Sequence, residues 1–281
     1  MLPDYVEADE DVFPQLTAPL SVPLTSVSGN MTSAPAAAPS QAAKDYGNSH
    51  MFLINFYRRY FDIDLEIFFD KLYKTLIPFT SGDDDIALDL PELYGFIWIT
   101  GTLVFLMFVS ATASNIMGQW LHGGDETPAY NYNFDLIFKL MAIFYGYNVI
   151  VPFLLVMWTR FVTKFPEPLS LFNVMLIYGY TNILWVPITL INFLFVVFIS
   201  YEKHHVLLNV LEWVIVVILG VITMISNLLK VAPSIKNNCV MLHTGDAAAG
   251  RRVYFPLLVA LGLAHVGFTV LVKWSFFGIN V

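Results

Sequence analysis

GFIWITGTLVFLMFVSATASNIM, residues 95–117, runs for 23 residues without one charged side chain. At 1.5 Å of rise per residue, a helix over this stretch is about 35 Å long, enough to cross a hydrocarbon core of about 30 Å. Four further stretches, 136–158, 170–199, 206–229 and 253–277, are as long or longer, and Lys139, Glu212 and Lys273 are their only charged residues. Buried helices of water-soluble proteins seldom run so far without a charged face. The expected fold is all-α, a polytopic membrane protein with five transmembrane helices over 95–281.

Composition agrees with that reading. The 281 residues are 57% hydrophobic and 13% charged, and the mean hydropathy is +0.65, whereas soluble domains carry roughly 25% charged residues. Of 22 acidic residues, 15 precede residue 95, which separates a polar head from an apolar body. A formal net charge of −8 leaves no basic stripe for a phosphate backbone, so nucleic acid is excluded as a partner. Cys239 is the only cysteine, which rules out an intramolecular disulfide and any zinc site of several thiolates. It reads as an unpaired thiol in a loop.

Orientation follows from the basic residues, because cytoplasmic flanks collect Lys and Arg. MLPDYVEADEDVFPQ, at the N-terminus, has no basic stretch followed by an apolar run, so it is not expected to act as a secretory signal and the head stays in the cytosol. The inner segments then hold Lys44, Arg58, Arg59, Lys71, Lys74, Arg160, Lys164, Lys230, Lys236, Arg251 and Arg252, eleven in all, against Lys139, Lys203 and Lys273 outside. The first outer loop, residues 118–135, has neither Lys nor Arg. The pattern predicts a cytosolic N-terminus, a lumenal C-terminus and an unmodified sequon at Asn30-Met31-Thr32.

Two parts make up the head. Residues 1–49, rich in Pro, Ala, Ser and acid, cannot bury enough apolar surface to offset the entropy of ordering and read as a disordered tail. Residues 50–94 hold amphipathic helices and an acidic linker. Leu65, Phe68, Phe69, Leu72, Tyr73 and Leu76 recur at helical spacing, with Glu66, Asp70, Lys71 and Lys74 on the other face, Asp64 as N-cap and Pro78 as stop. Upstream, Phe52, Phe56, Tyr57 and Tyr60 form a second apolar stripe beside Arg58 and Arg59. Aromatic, charged helices outside the spans suit either the membrane interface or a partner's groove, and the spacing does not choose between them.

Polar residues inside the spans carry the remaining signals. Tyr145-Gly146-Tyr147-Asn148 with Pro152 in the second span is echoed by Tyr178-Gly179-Tyr180-Thr181-Asn182 with Pro187 in the third. Glycine allows helix backbones to approach in lipid, and each proline frees a carbonyl four residues back, at Asn148 and Ile183, that must be satisfied within the protein. These residues read as glue between kinked helices or as a polar site for a ligand or headgroup. Glu212, near His204 and His205, reads as an interfacial residue that snorkels, with a pH-sensing cluster as the alternative. Lys139 and Lys273 are placed to reach headgroups, and His265 reads as a hydrogen-bonded packing residue. No GxSxG, HExxH, Walker loop or helix-opening GxGxxG occurs, so neither an enzyme nor a cofactor or metal is expected.

The stretch DLPELYGFIWITGTLVFLMFVSATASN, residues 89–115, resembles the Yip family, five-span Golgi membrane proteins named for interaction with Ypt/Rab GTPases. The family's acidic-Leu-Tyr-Gly lead-in to span one matches Glu92, Leu93, Tyr94 and Gly95 with Trp98 downstream, and Asp89 precedes it. Its Tyr-Gly-Tyr motif with a following proline matches Tyr178 to Pro187. FLINFYRRYFDIDLEIFFDKL, residues 52–72, is similar to the pre-membrane segment of one branch, the fifth fungal Yip paralogue and its animal counterparts. Many members have Asp and Pro where this chain has Glu92 and Phe96. The resemblance covers residues 50–277. It implies residence in Golgi or early secretory membranes, with membrane lipids, Rab-type GTPases and other Yip-type proteins as partners, and a role in vesicle-mediated, ER-to-Golgi transport. On this basis Phe52, Phe56, Tyr57, Tyr60, Phe68, Leu72, Asp89, Glu92, Leu93, Tyr94 and Gly95 are the expected partner-binding residues. The rival reading is a small transporter or lipid-handling protein that uses Asn148 and Asn182, and a third is a structural subunit of a larger complex.

Overall fold

The computed structural model describes residues 57–58, 60–76, 92–122, 133–199, 201–243 and 246–276. The tail 1–49, Phe52, Phe56, Asp89 and most of the acidic linker lie outside them. Within the described residues every regular element is helical: α1 (Leu65–Leu76), α2 (Tyr94–His122), α3 (Asp135–Met157) continued by a π turn (Trp158–Val162), α4 (Leu171–Thr181), a 3-10 turn (Asn182–Leu184), α5 (Trp185–Phe198), α6 (Tyr201–Leu242) and α7 (Ala247–Phe276). Five stretches of helix are long and apolar enough to cross a membrane: Tyr94–Leu121, Asp135–Val162, Leu171–Phe198, His204–Leu242 and Ala248–Phe276. Phe105, Phe138, Leu154, Leu194, Val214 and Leu263 all point outward from these spans. A water-soluble bundle would turn polar residues to that surface, so its solvent is lipid.

Two apolar clusters hold the spans together. In one, Leu103 and Met107 of span one, Phe144 of span two, Trp185 and Ile188 of span three, Val216 of span four and Phe268 of span five are buried on one another. The Phe144 ring meets Trp185 and Phe268 edge-on at 6.1 and 5.3 Å, and Tyr147 stacks on Phe268 at 4.1 Å. The other joins Leu155, Phe165, Tyr178, Val231, Ile235 and Leu261 around Cys239, which lies buried within α6 rather than in a loop. That difference arises because α6 continues to Leu242, past the end of its apolar run at residue 229. The side chain of Asn238 on this extension accepts a hydrogen bond from the Glu167 N–H at 2.9 Å, which ties the extension to the chain that leaves span two.

Polar links also cross the apolar interior. His265 bridges the hydroxyls of Tyr147 and Thr223, each at 2.8 Å, and so serves as the packing residue its position suggests. Thr181 donates to Asn227 at 2.8 Å, joining spans three and four. Lys273 and Glu212 depart from expectation. Lys273 turns inward to within 2.8 Å of the Glu212 carboxylate and donates to Asn209 at 3.3 Å, with Trp213 beneath it. Two opposite charges on neighbouring spans satisfy each other more cheaply than either can by reaching the surface.

Pro187 has a local effect on span three. The 3-10 turn at Asn182–Leu184 tightens the helix just before it and divides the span into α4 and α5. Pro152 is buried within a continuous α3.

Candidate functional site

Helix α1 is laid against the end of the bundle where the first span begins and the third passes, and it has three faces. Phe68 and Leu72 pack inward on Ile99, Leu176 and Tyr180, and Thr75 is fully buried. The Phe68 ring meets Tyr94 edge-on at 5.5 Å and lies 6.0 Å from Tyr180. Glu66, Asp70 and Lys74 follow the i, i+4, i+8 row of a second face, where Lys74 pairs with Asp70 at 2.8 Å. Between them runs a third face of Leu65, Phe69, Tyr73 and Leu76, which stay 43% to 69% exposed. Their successive spacing of four, four and three keeps them on one stripe. The apolar side of α1 is therefore divided: half is spent on the protein and half remains uncovered.

Glu92 fastens α1 down. The residue is 5% exposed, and its Oε1 accepts hydrogen bonds from Tyr180 Oη at 2.6 Å and Lys71 Nζ at 3.2 Å. One carboxylate thus joins α1, the lead-in to span one and the Tyr-Gly-Tyr motif of span three. In such a buried setting the ion pair fixes geometry more than it adds net stability, but the removal of either partner is costly. The Leu93 N–H donates to the Tyr60 carbonyl at 2.7 Å, and the Tyr60 ring rests 5.2 Å from Phe172, so the chain before α1 is also tied to the third span. Tyr60, Phe68 and Leu72 therefore face the protein itself, while Tyr57 and Leu65, Phe69, Tyr73 and Leu76 face out.

Two glycines make the close contact beneath this site possible. A β-carbon at Gly179 would lie 2.6 Å from the Phe96 Cα, and one at Gly95 would enter the Tyr180 ring. The lead-in and the Tyr-Gly-Tyr motif are thus the two halves of one helix crossing, each glycine admitting its partner's bulk. Gly146 makes no such approach: a β-carbon there would meet nothing within 4 Å. In the second span the contact is polar instead, with the Tyr145 hydroxyl donating to the Ile97 carbonyl at 2.7 Å.

One turn further in, Asn182 donates to Thr100 Oγ1 at 2.9 Å and Asn148 approaches the same hydroxyl at 3.5 Å. The two asparagines belong to the repeated motif, and a threonine of span one that the sequence did not single out gathers them. Both are buried, so they bind three spans to one another. Nor do the described residues bring three His, Cys, Asp or Glu side chains together in a way that could hold a metal ion.

The chain is 29% identical to Protein YIP5 of Saccharomyces cerevisiae over 178 residues, 58% of this chain and 54% of that protein. It is 27% identical to Protein YIP5 of Schizosaccharomyces pombe over 210 residues, 74% of this chain and 78% of that one. A Dictyostelium discoideum protein, the YIPF1 homolog, is 21% identical over 225 residues, 80% of this chain and 56% of its own length. The matched region thus spans about half the length of the budding-yeast relative. No family model and no solved structure matches the chain. With five spans, an acidic-Leu-Tyr-Gly lead-in locked into a Tyr-Gly-Tyr helix crossing, and these relatives, the chain is a multi-pass membrane protein that resembles the fungal YIP5 proteins.

Proposed function

We propose that this protein is a membrane-anchored platform of the Golgi and early secretory pathway. Its head lies in the cytosol and its C-terminus in the lumen, and it binds Rab-type GTPases and other Yip-type proteins to support vesicle-mediated transport and Golgi organisation. The observation that carries the reading is the divided α1: Glu92, Lys71 and Tyr180 hold the helix in place, so that Leu65, Phe69, Tyr73 and Leu76 stay uncovered beside Glu66 and Asp70. A rigid apolar stripe flanked by acid supplies both contact area and charge for a partner, and a helix that is already docked pays little ordering entropy on binding. The basic residues of the loops support the orientation. Among the sequence-expected contact residues, Tyr57 is exposed and Tyr94 partly so, whereas Phe68 and Leu72 pack inward on the spans.

The test is capture of a prenylated Rab-type GTPase by the full chain in nanodiscs. Phe69→Asp combined with Tyr73→Asp places two charges on the stripe and leaves the buried face of α1 untouched, so capture should fall at least tenfold. Undiminished capture would assign the stripe to lipid and remove α1 from GTPase recognition.

A further inference from the structure

A groove of about 560 Å³ lies between the second and fifth spans, away from α1, and its walls run from Val151 to Thr163 on one helix and from Arg252 to Ala264 on the other. At 1.5 Å per residue each wall is about 18 Å long. One leaflet of a hydrocarbon core of about 30 Å is roughly 15 Å deep. The groove therefore has the length of a single chain in one leaflet. Its walls are apolar except at one end, where Thr163 and Arg252 stand at the mouth.

Two features mark that mouth as built. First, span two ends irregularly. A π turn at Trp158–Val162 adds a residue to the last turn, with the Thr163 N–H reaching back to the Trp158 carbonyl at 3.2 Å, and Lys164 follows with a left-handed φ of 52°. Insertions of this kind widen a helix and tend to occur where a side chain has to be re-aimed. Here they leave Trp158 half exposed along the groove wall. Second, Arg160, Lys164, Arg251 and Arg252 all belong to this end of the two spans and are exposed, and none pairs with a carboxylate among the described residues. Asp246, the acid at the start of α7, is engaged by the N–H groups of Ala248 and Ala249 at 2.9 and 3.1 Å. Arg252 lines the mouth itself, and Arg160, Lys164 and Arg251 at the same end of the two spans outnumber the exposed Glu167 and Asp246, which leaves a net positive field at headgroup depth.

We infer that the groove seats one acyl chain of an anionic phospholipid, with the lipid phosphate held at Arg252. The charge selects the lipid, and the slot between Leu154, Trp158, Pro256 and Ala260 holds the chain. A neutral lipid would wet the same walls without preference.

The test uses the full chain in nanodiscs of phosphatidylcholine doped with a trace of diazirine-acyl phosphatidylserine or the matched diazirine-acyl phosphatidylcholine. After photolysis, crosslinks are mapped by mass spectrometry. The serine probe should label 151–163 and 252–264 severalfold more than the choline probe. Arg252→Gln, an exposed change that leaves the core alone, should lower that ratio about fivefold, the factor one arginine contributes near an anionic surface. Ala260→Trp, which fills the slot from an exposed position, should remove labelling by both probes there. Equal labelling by the two probes, or a ratio unchanged in Arg252→Gln, overturns the inference. So does displacement of the serine probe by a trace of geranylgeranyl cysteine methyl ester but not by excess phosphatidylserine, which would make the groove an isoprenoid site.

Discussion

The clamp on α1 can be broken at one atom pair. Glu92→Ala leaves the Lys71 ammonium and the Tyr180 hydroxyl without the acceptor they share at 3.2 and 2.6 Å. Removing one partner of a buried pair costs about 3–5 kcal/mol. The Lys71 side chain is 12% exposed and can recover some hydration, so the lower figure, about 3 kcal/mol, applies. Twelve residues are too few for a stable isolated helix, so the loss falls on docking: α1 lifts and frays as a unit. At about 1.36 kcal/mol per decade, the detached fraction rises on the order of a hundredfold. Thr75, fully buried on the docked face and bonded among the described residues to the Lys71 carbonyl of its own helix, is the natural reporter. In a Cys239→Ala, Thr75→Cys background, maleimide labelling measures the detached fraction, and Glu92→Ala should speed it by that factor. Replacing both charges, Glu92→Leu with Lys71→Met, should return labelling to within tenfold of the parent. A Glu92→Ala rate within twofold of the parent would refute the clamp.

Other perturbations read the bundle itself. Gly179→Leu drives a side chain into the Phe96 backbone and should cost about 3 kcal/mol, seen as a Tm several degrees lower in detergent, while Gly146→Ala, which meets open space, should leave Tm within a degree or two. Lys273→Met should cost about 3–5 kcal/mol by stranding Glu212, and the further change Glu212→Leu should restore most of it, which a double-mutant cycle on thermal unfolding would register. Asn182→Leu removes one interhelical hydrogen bond to Thr100 and should cost only about 0.6 kcal/mol. A much larger loss would mean that the Asn148, Thr100 and Asn182 cluster acts as a cooperative unit.

Much of the architecture is legible in the order of residues because lipid imposes a simple demand. A run such as 95–117 has to be helical and has to cross, since no other backbone arrangement satisfies its N–H and C=O groups there. The lead-in at Glu92 to Gly95 and the motif at Tyr178 to Asn182 can each be read as special. That they are halves of one crossing cannot, because Glu92 and Tyr180 are 88 positions apart and no periodicity records the pairing. The same limit explains Lys273. A lysine near the end of a span reads as one that snorkels, and only the packing of α6 on α7 places Glu212 within its reach. In α1 the helical period marks an apolar side, yet not that Phe68 and Leu72 go inward while Phe69 and Tyr73 stay out, because that division is made by the spans it rests on. The π turn at Trp158 leaves no trace in hydropathy, so the groove beside it is visible only once the helices are placed.

An odd number of crossings is the claim on which the platform depends, since it sets α1 and the two termini on defined sides of the membrane. Sealed, right-side-out Golgi vesicles carrying the chain with a different tag at each end test it directly with added protease. The account predicts that the N-terminal tag is digested while the C-terminal tag survives until detergent is added. Digestion of both tags without detergent would contradict it.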